Sequence, residues 1–180
     1  MIVDVKKQEK ETFKKFKDRF GYKNALQAPR ILKVVVNAGV GSGIKKDPKR
    51  LELVKDRLTK ILGQKPATRA SKKSIAGFKL RLGEPIGVVV TLRGKRMYAF
   101  LDKLFNVAFP RTKDFRGIKR SIVDNIGNLT LGIKEHTIFP ETHDEELRDV
   151  FGFAITIVTT AKSKEEALAF FENIGVPFAS

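Results

Sequence analysis

His136 and His143 stand seven residues apart, with Glu135, Glu141 and Asp144 close by. Imidazoles and carboxylates are the ligands a metal ion takes. The set is not closely spaced, so both histidines are read as surface residues and no metal site is expected. Asp144, Glu145, Glu146 and Asp149 could pair for general acid–base work. The same acids follow Thr142 in the pattern of a capping box, where they suit the positive end of a helix dipole. They are read as a helix start. Gly39-Val40-Gly41-Ser42-Gly43 follows an apolar run. A dinucleotide loop would need glycine at 44, where Ile44 stands, and the Gly-Lys-Ser/Thr of a phosphate-binding loop is absent. These glycines suit a tight turn or a backbone that approaches an RNA phosphate. No G-x-S-x-G or H-E-x-x-H set occurs. Neither catalysis nor a cofactor is expected. The alternative kept open is an RNA-modifying or nucleotide-dependent enzyme that uses Gly39–Gly43.

The chemistry that stands out is phosphate binding. From Gly63 to Arg96 there are nine cations (Lys65, Arg69, Lys72, Lys73, Lys79, Arg81, Arg93, Lys95 and Arg96) against one acid, Glu84. Glycine, proline and β-branched residues separate them, which fits basic loops at strand ends. Such loops press charge and backbone N–H groups onto a nucleic-acid backbone. Thr91 and Arg93 alternate along a strand and so share one face. Phe78, between Lys73 and Lys79, either stacks on a base or ribose or anchors its loop to the core.

The charge is unevenly placed. The net is +16 over 180 residues, but residues 1–120 hold 32 basic and 10 acidic side chains, and residues 121–180 hold 4 basic and 10 acidic. A body of +22 implies a polyanionic partner, and an end of −6 fits a basic protein. There is no cysteine, which removes disulfides and thiol chemistry. No apolar run reaches the roughly 18 residues that span a bilayer, and MIVDVKKQEKETFKKF has no apolar signal region. A cytoplasmic protein without a membrane partner is expected.

The elements that position these residues follow from periodicity. Phe13, Phe16 and Phe20 recur at helical spacing with Lys6, Lys10, Lys14 and Lys17 on other faces. This predicts an amphipathic helix over about 5–20, docked on its own domain and ended by Gly21. Ile31–Val36 reads as a buried strand. Asp47-Pro48 reads as the start of a helix that buries Leu51, Val54, Leu58, Ile61 and Leu62 and ends at Gly63. Ala67–Ala70 and Ile86–Leu92 read as strands around a long basic loop, 71–85. Met97, Phe100, Leu101, Leu104, Phe105 and Ala108 give a helix stopped before Pro110. A second basic loop, 110–120, follows, then a strand at Leu129–Ile133 and an acidic segment, 141–149. Phe153–Thr160 reads as a strand. Ser163-Lys164-Glu165-Glu166 caps a helix with Ala167, Leu168, Phe170, Phe171 and Ile174 inward, closed by Gly175 and Pro177. No repeat or linker divides the chain. The class is α+β in one domain, an antiparallel sheet with helices packed mainly on one face and long basic loops.

Several short words also occur in a fixed order. They are Pro29-Arg30, Asn37-x-Gly39-Val40-Gly41, Gly63-Gln64-Lys65-Pro66, Lys73-Ser74-Ile75-Ala76-Gly77-Phe78-Lys79, Pro85-Ile86-Gly87 and Val90-Thr91-Leu92-Arg93-Gly94. Pro110-Arg111-x-x-Asp114-Phe115-Arg116-Gly117, Ile138-Phe139-Pro140-Glu141 and Thr159-Thr160-Ala161 follow. Over about residues 10–178 the chain closely resembles the family of bacterial large-subunit ribosomal protein five, which binds 5S ribosomal RNA.

The resemblance implies attachment of 5S RNA in the central protuberance of the large subunit, beside other 5S-binding ribosomal proteins. It carries 5S contacts to Asn37, Gln64, Lys65, Lys72, Lys73, Ser74, Thr91 and Arg93. It implies that the long loop, through Ser71, Lys72, Lys73, Gly77, Phe78, Lys79 and Arg81, reaches transfer RNA in the peptidyl site. Arg111, Lys113 and Arg116 match further large-subunit RNA contacts. The segment near 134–150, with Glu141, Asp144, Glu145 and Glu146, is similar to the one that meets small-subunit protein thirteen in an intersubunit bridge. Two places depart from the family's pattern. Val123-Asp124-Asn125-Ile126 lacks the usual glycine and arginine, and Pro177-Phe178-Ala179-Ser180 lacks the usual basic residues. The resemblance carries no RNA contact to either.

Overall fold

The computed structural model describes residues 4–41, 47, 49–112, 115–142 and 150–179. Five strands form one antiparallel sheet: β1 (Ile31–Gly39), β2 (Ala67–Ala70), β3 (Pro85–Leu92), β4 (Leu129–Ile133) and β5 (Phe153–Thr159). Their spatial order is β2-β3-β1-β5-β4. The helices are α1 (Val5–Phe20), α2 (Arg50–Leu62), α3 (Gly94–Lys103) and α4 (Lys164–Asn173). The expected α+β class is therefore the observed one. The chain forms two compact units, Met1–Val34 with Leu92–Leu131 and Thr156–Ser180, and Val35–Thr91 with Gly132–Ile155.

In the first unit, α1 starts on Asp4, whose carboxylate accepts the Lys7 N–H at 3.0 Å, and ends at Gly21 with φ of 66°. The phase of its inward side is as the phenylalanines predict, but the depth is not. Val5 and Thr12 are the buried residues, while Phe13, Phe16 and Phe20 stay half-exposed. The reason is a polar seam with α4. Asn173 donates to the Gln8 carbonyl at 2.9 Å and to the Thr12 hydroxyl at 3.0 Å. The rings lie under cations instead, Lys17 over Phe13 at 6.0 Å and Arg19 over Phe20 at 5.2 Å.

The helix expected to stop before Pro110 runs on. After α3 it widens into a π-turn, Leu104–Ala108, and closes as Phe109–Arg111. Pro110 has no N–H for the carbonyl four residues back, and the ladder shifts register so that the Phe109 N–H donates to Leu104. On α4 the capping box forms with one change. The Ser163 hydroxyl accepts the Glu166 N–H at 3.3 Å, while Glu166 accepts the Lys162 N–H at 2.7 Å. Leu168 is half-exposed, and Glu166 and Ala169 are buried in its place. Glu166 can be buried because the Tyr22 hydroxyl also donates to it.

In the second unit, α2 buries Val54, Leu58, Ile61 and Leu62, and Leu51 is half-exposed. Its N-cap is Lys49, without a side-chain bond. Asp47 holds the turn before it, accepting the Lys49 N–H at 2.9 Å. Pro48, like the capping box expected at 142–145 beyond Thr142 itself, lies outside the described residues. Contrary to the surface reading, His136 is fully buried. Its ring stacks on Phe151 at 4.3 Å, and Nδ1 accepts the Phe151 N–H at 3.3 Å. His143 lies outside the described residues. Gly87 has a packing reason. A Cβ there would sit 2.8 Å from the Ala38 carbonyl oxygen, so only glycine lets β3 lie this close to β1.

Gly127 combines φ of +93° with a virtual Cβ 2.8 Å from the Ala161 Cβ. Gly127→Ala should therefore cost on the order of 2 kcal/mol, seen as a fall of several degrees in Tm. An unchanged Tm would mean that the turn relaxes freely. A second expectation concerns the two tyrosines of the chain. Burial, then the hydrogen bond to Glu9 at 2.8 Å, pushes the Tyr98 hydroxyl up to about 12. Burial and Glu166 likewise raise Tyr22. The native state thus keeps protons that the unfolded chain releases near pH 10, so their contribution is intact below about pH 10 and falls as pH rises through 12. Tm measured across pH 9–12 should drop more steeply for the wild type than for Tyr22→Phe/Tyr98→Phe. Equal slopes would remove the tyrosines as the cause.

Candidate nucleic-acid interface

The segment 71–85, expected to be irregular, is a framed hairpin of the second unit. The Ser71 N–H donates to the Glu84 carbonyl at 2.8 Å, and the Gly83 N–H to the Ser71 carbonyl at 3.0 Å. Ile75 and Leu80 exchange both backbone bonds, at 3.0 and 3.1 Å, around a short 3-10 turn, Ala76–Phe78. Two side chains complete the frame. The Leu82 N–H donates to the Ser74 hydroxyl at 3.0 Å, and Glu84 accepts the Arg81 N–H at 3.1 Å. Lys79 takes the left-handed conformation, φ of 51°, at the turn's end. Polarity and glycine content suggested a long irregular loop from the sequence. Backbone and hydroxyl bonds give order without an apolar core.

This frame sorts the residues carried over by resemblance. Ser71 is buried, its hydroxyl donating to the Lys73 carbonyl at 2.6 Å. Lys72, Lys73, Ser74, Gly77, Lys79 and Arg81 are exposed. Phe78 is 71% exposed, which rules against the core-anchor reading of its ring. At the base of the hairpin lies an open concavity of about 670 Å³, lined by Arg69, Ser71, Lys72, Lys73, Ile75 and Ile86 among others.

The sheet supplies the neighbouring surface. On β3, Val88, Val90 and Leu92 are buried while Thr91 is exposed. On β1, Val34, Val36 and Ala38 are buried while Asn37 is exposed. Gln64 follows the Gly63 cap of α2, and its amide donates to the Thr91 carbonyl at 3.4 Å, which brings Gln64 and exposed Lys65 to the end of β3. Arg93 follows two residues on, exposed, at the N-cap of α3, and its guanidinium donates to the Leu32 carbonyl at 3.4 Å.

One cation was missed. Antiparallel pairing sets Ala67 opposite Val89 and Arg69 opposite Gly87. Paired residues point to the same face, so Arg69 shares the open face of Val89 and Thr91. It was visible only as one of nine cations, because the register that aims it cannot be read from charge. Arg69, Lys72 and Lys73 make no ion pair with a described residue.

Elsewhere the structure does not gather the candidates. Arg111 and Arg116 are exposed in the first unit, and Lys113 lies outside the described residues. Glu141 is exposed, while Asp144, Glu145 and Glu146 are outside the described residues. No group of three or more metal-ligating side chains occurs among the described residues. No helix there is long and apolar enough to cross a membrane.

The family models and the relatives that match this chain are ribosomal. The family model for ribosomal protein L5 matches residues 24–81, and the model for the C-terminus of the same ribosomal family matches residues 85–178. Similar proteins include the large ribosomal subunit protein uL5 of Thermoanaerobacter sp. (strain X514), 53% identical over 173 residues, 96% of each chain. That of Caldanaerobacter subterraneus subsp. tengcongensis is 52% identical over 173 residues, again 96% of each. That of Mesoplasma florum is 52% identical over 159 residues, 88% of each. With both family models met in order along one chain, and about half of all residues shared with relatives of matching length, the chain belongs to the ribosomal protein L5 family.

Proposed function

We propose that this chain is a non-catalytic constituent of the large ribosomal subunit, and so cytoplasmic, that holds 5S ribosomal RNA. The observation that carries the reading is the framed basic hairpin. Arg69, Lys72 and Lys73 lie together without an acidic partner among the described residues, in a chain of a ribosomal-protein family. Their charge is available to phosphates, and phosphate contacts position a protein on RNA. Asn37, Gln64, Ser74, Thr91 and Arg93 then set register, since hydroxyl, amide and guanidinium groups bond 2′-hydroxyls and base edges. The 71–85 hairpin, with exposed Phe78 at its turn, extends toward peptidyl-site transfer RNA. Arg111, Lys113 and Arg116 meet large-subunit RNA. The acidic 141–149 segment faces small-subunit protein thirteen, where opposite charge favours the encounter, and other 5S-binding proteins complete the assembly.

The enzyme alternative loses its support. The chain belongs to a family of ribosomal proteins, and Gly39 is a residue of β1, not of a loop. Gly43 lies outside the described residues.

Thr91→Ala/Arg93→Ala should weaken 5S binding by about 1–3 kcal/mol, roughly 5- to 150-fold, with Tm nearly unchanged. Unchanged affinity would overturn the residue assignment. A salt series separates shape from charge. If about 6–10 phosphates are contacted, affinity falls by about 10³–10⁵ between 50 and 200 mM salt. A preference for 5S RNA over a size-matched unrelated RNA should persist along that series. Equal binding to both would reduce the function to charge alone.

A further inference from the structure

The sheet ends at β2, an edge that no other described strand completes. β2 is the first strand of the order β2-β3-β1-β5-β4 and pairs with β3 alone. All four of its residues, Ala67–Ala70, are exposed. Thr68 lies opposite the buried Val88 and so points to the side of the core, yet it stays exposed like the rest. β2 therefore runs out past the packed layer. One row of its backbone N–H and C=O groups faces away from β3, and such a row is a template for a further strand. The register shift between Arg69 and Ala70 keeps that row short, so a strand added there needs other contacts to be held.

The concavity at the base of the hairpin supplies them. It opens beside Arg69 and Ala70, with a volume of about 670 Å³. Ala70, Ile75 and Ile86 give it an apolar floor, and Ile75 is 45% exposed. Arg69, Lys72 and Lys73 give it a basic rim, and none of them makes an ion pair with a described residue. Edge, floor and rim together ask three things of one ligand. It must carry backbone donors and acceptors at strand spacing, an apolar side chain and negative charge. An RNA backbone brings the charge, but it has no such row and nothing to cover isoleucine side chains. An extended peptide with interleaved acidic and branched apolar residues brings all three. Main-chain bonds along the edge then give affinity, and side chains in the concavity give specificity.

We propose that β2 and the concavity beside it form a docking groove for an extended acidic segment of a partner protein, which adds to the sheet as a further strand. The acids of the segment meet Arg69, Lys72 and Lys73, and its apolar side chain covers Ile75 and Ile86. These cations also serve the RNA site, so the segment and 5S RNA exclude each other. The partner thus screens this basic face until RNA displaces it. That last step alone rests on the function proposed above.

The test uses the full chain and a labelled peptide of alternating glutamate and valine. Two controls keep its length: the same peptide N-methylated on every amide, and a glutamate-only peptide. The alternating peptide should bind at least tenfold more tightly than either control, and it should shift the backbone amide NMR signals of Ala67–Ala70. Ile75→Thr, with the wild-type circular dichroism spectrum, keeps both lysines and removes apolar floor. It should weaken the peptide by about fivefold or more, while 5S affinity stays within about twofold. Equal affinity for all three peptides would reduce the groove to charge and overturn it. Unshifted β2 amides would overturn the added strand, and an equal loss of 5S binding in Ile75→Thr would return the concavity to the RNA site. Peptide binding that 5S RNA does not displace would still assign the groove, and the placement of 5S RNA on Lys72 and Lys73 would fall instead.

Discussion

The sheet buries one face and leaves the other open, and the placement of the candidate contacts on its strands depends on that asymmetry. Side chains alternate along a strand, so a buried residue guarantees an outward neighbour. On β3 the buried Val88, Val90 and Leu92 force Thr91 outward. On β1 the buried Val36 and Ala38 do the same for Asn37. Each buried valine or leucine contributes roughly 1.5–3 kcal/mol, so a one-residue slip of either strand would forfeit several such terms together. The core therefore sets the register of the outward residues firmly, although no hydrogen bond of their own need hold them.

The hairpin solves a different problem. A core cannot hold it, because its side chains are mostly polar or exposed. Its frame is made from backbone bonds and the Ser74 hydroxyl, and its one acid, Glu84, is bonded to a backbone N–H. Neither Lys72 nor Lys73 is drawn into an ion pair with a described residue to keep the hairpin closed. Had Glu84 paired with Lys72 or Lys73 instead, the same fold would present less charge to a ligand. Order that does not draw on Lys72 or Lys73 is what leaves their charge available.

Much of this was legible because it follows from local rules. Gly63 as a left-handed cap, the alternation of β5 and the Ser163 cap each depend on a few neighbouring residues. What escaped the sequence depends on distant ones. His136 is buried because Phe151, fifteen residues on, supplies both a ring and an N–H. The phenylalanines of α1 stay shallow because Asn173 bonds Gln8 and Thr12. Arg69 joins the open face only through its pairing with Gly87. The candidate site was thus readable as a list of residue types, and unreadable as a surface.

The same use of acids recurs across the fold and bears on why the chain can be so basic. Asp102 accepts the Val5 N–H, Glu9 the Tyr98 hydroxyl and the Ile31 N–H, Glu166 the Tyr22 hydroxyl and the Lys162 N–H, and Asp124 the N–H groups of Ile126 and Asn128. These carboxylates are satisfied by neutral donors. A carboxylate bonded this way stabilises caps and turns, and it claims no lysine or arginine. An ion pair at the surface would add little to stability, typically about 0–1 kcal/mol, and would neutralise a cation that a phosphate could use. Surface ion pairs such as Lys15–Glu11 and Arg120–Glu172 do form, but where an acid takes neutral donors it leaves a cation to solvent, and this eases the folding of a strongly basic chain.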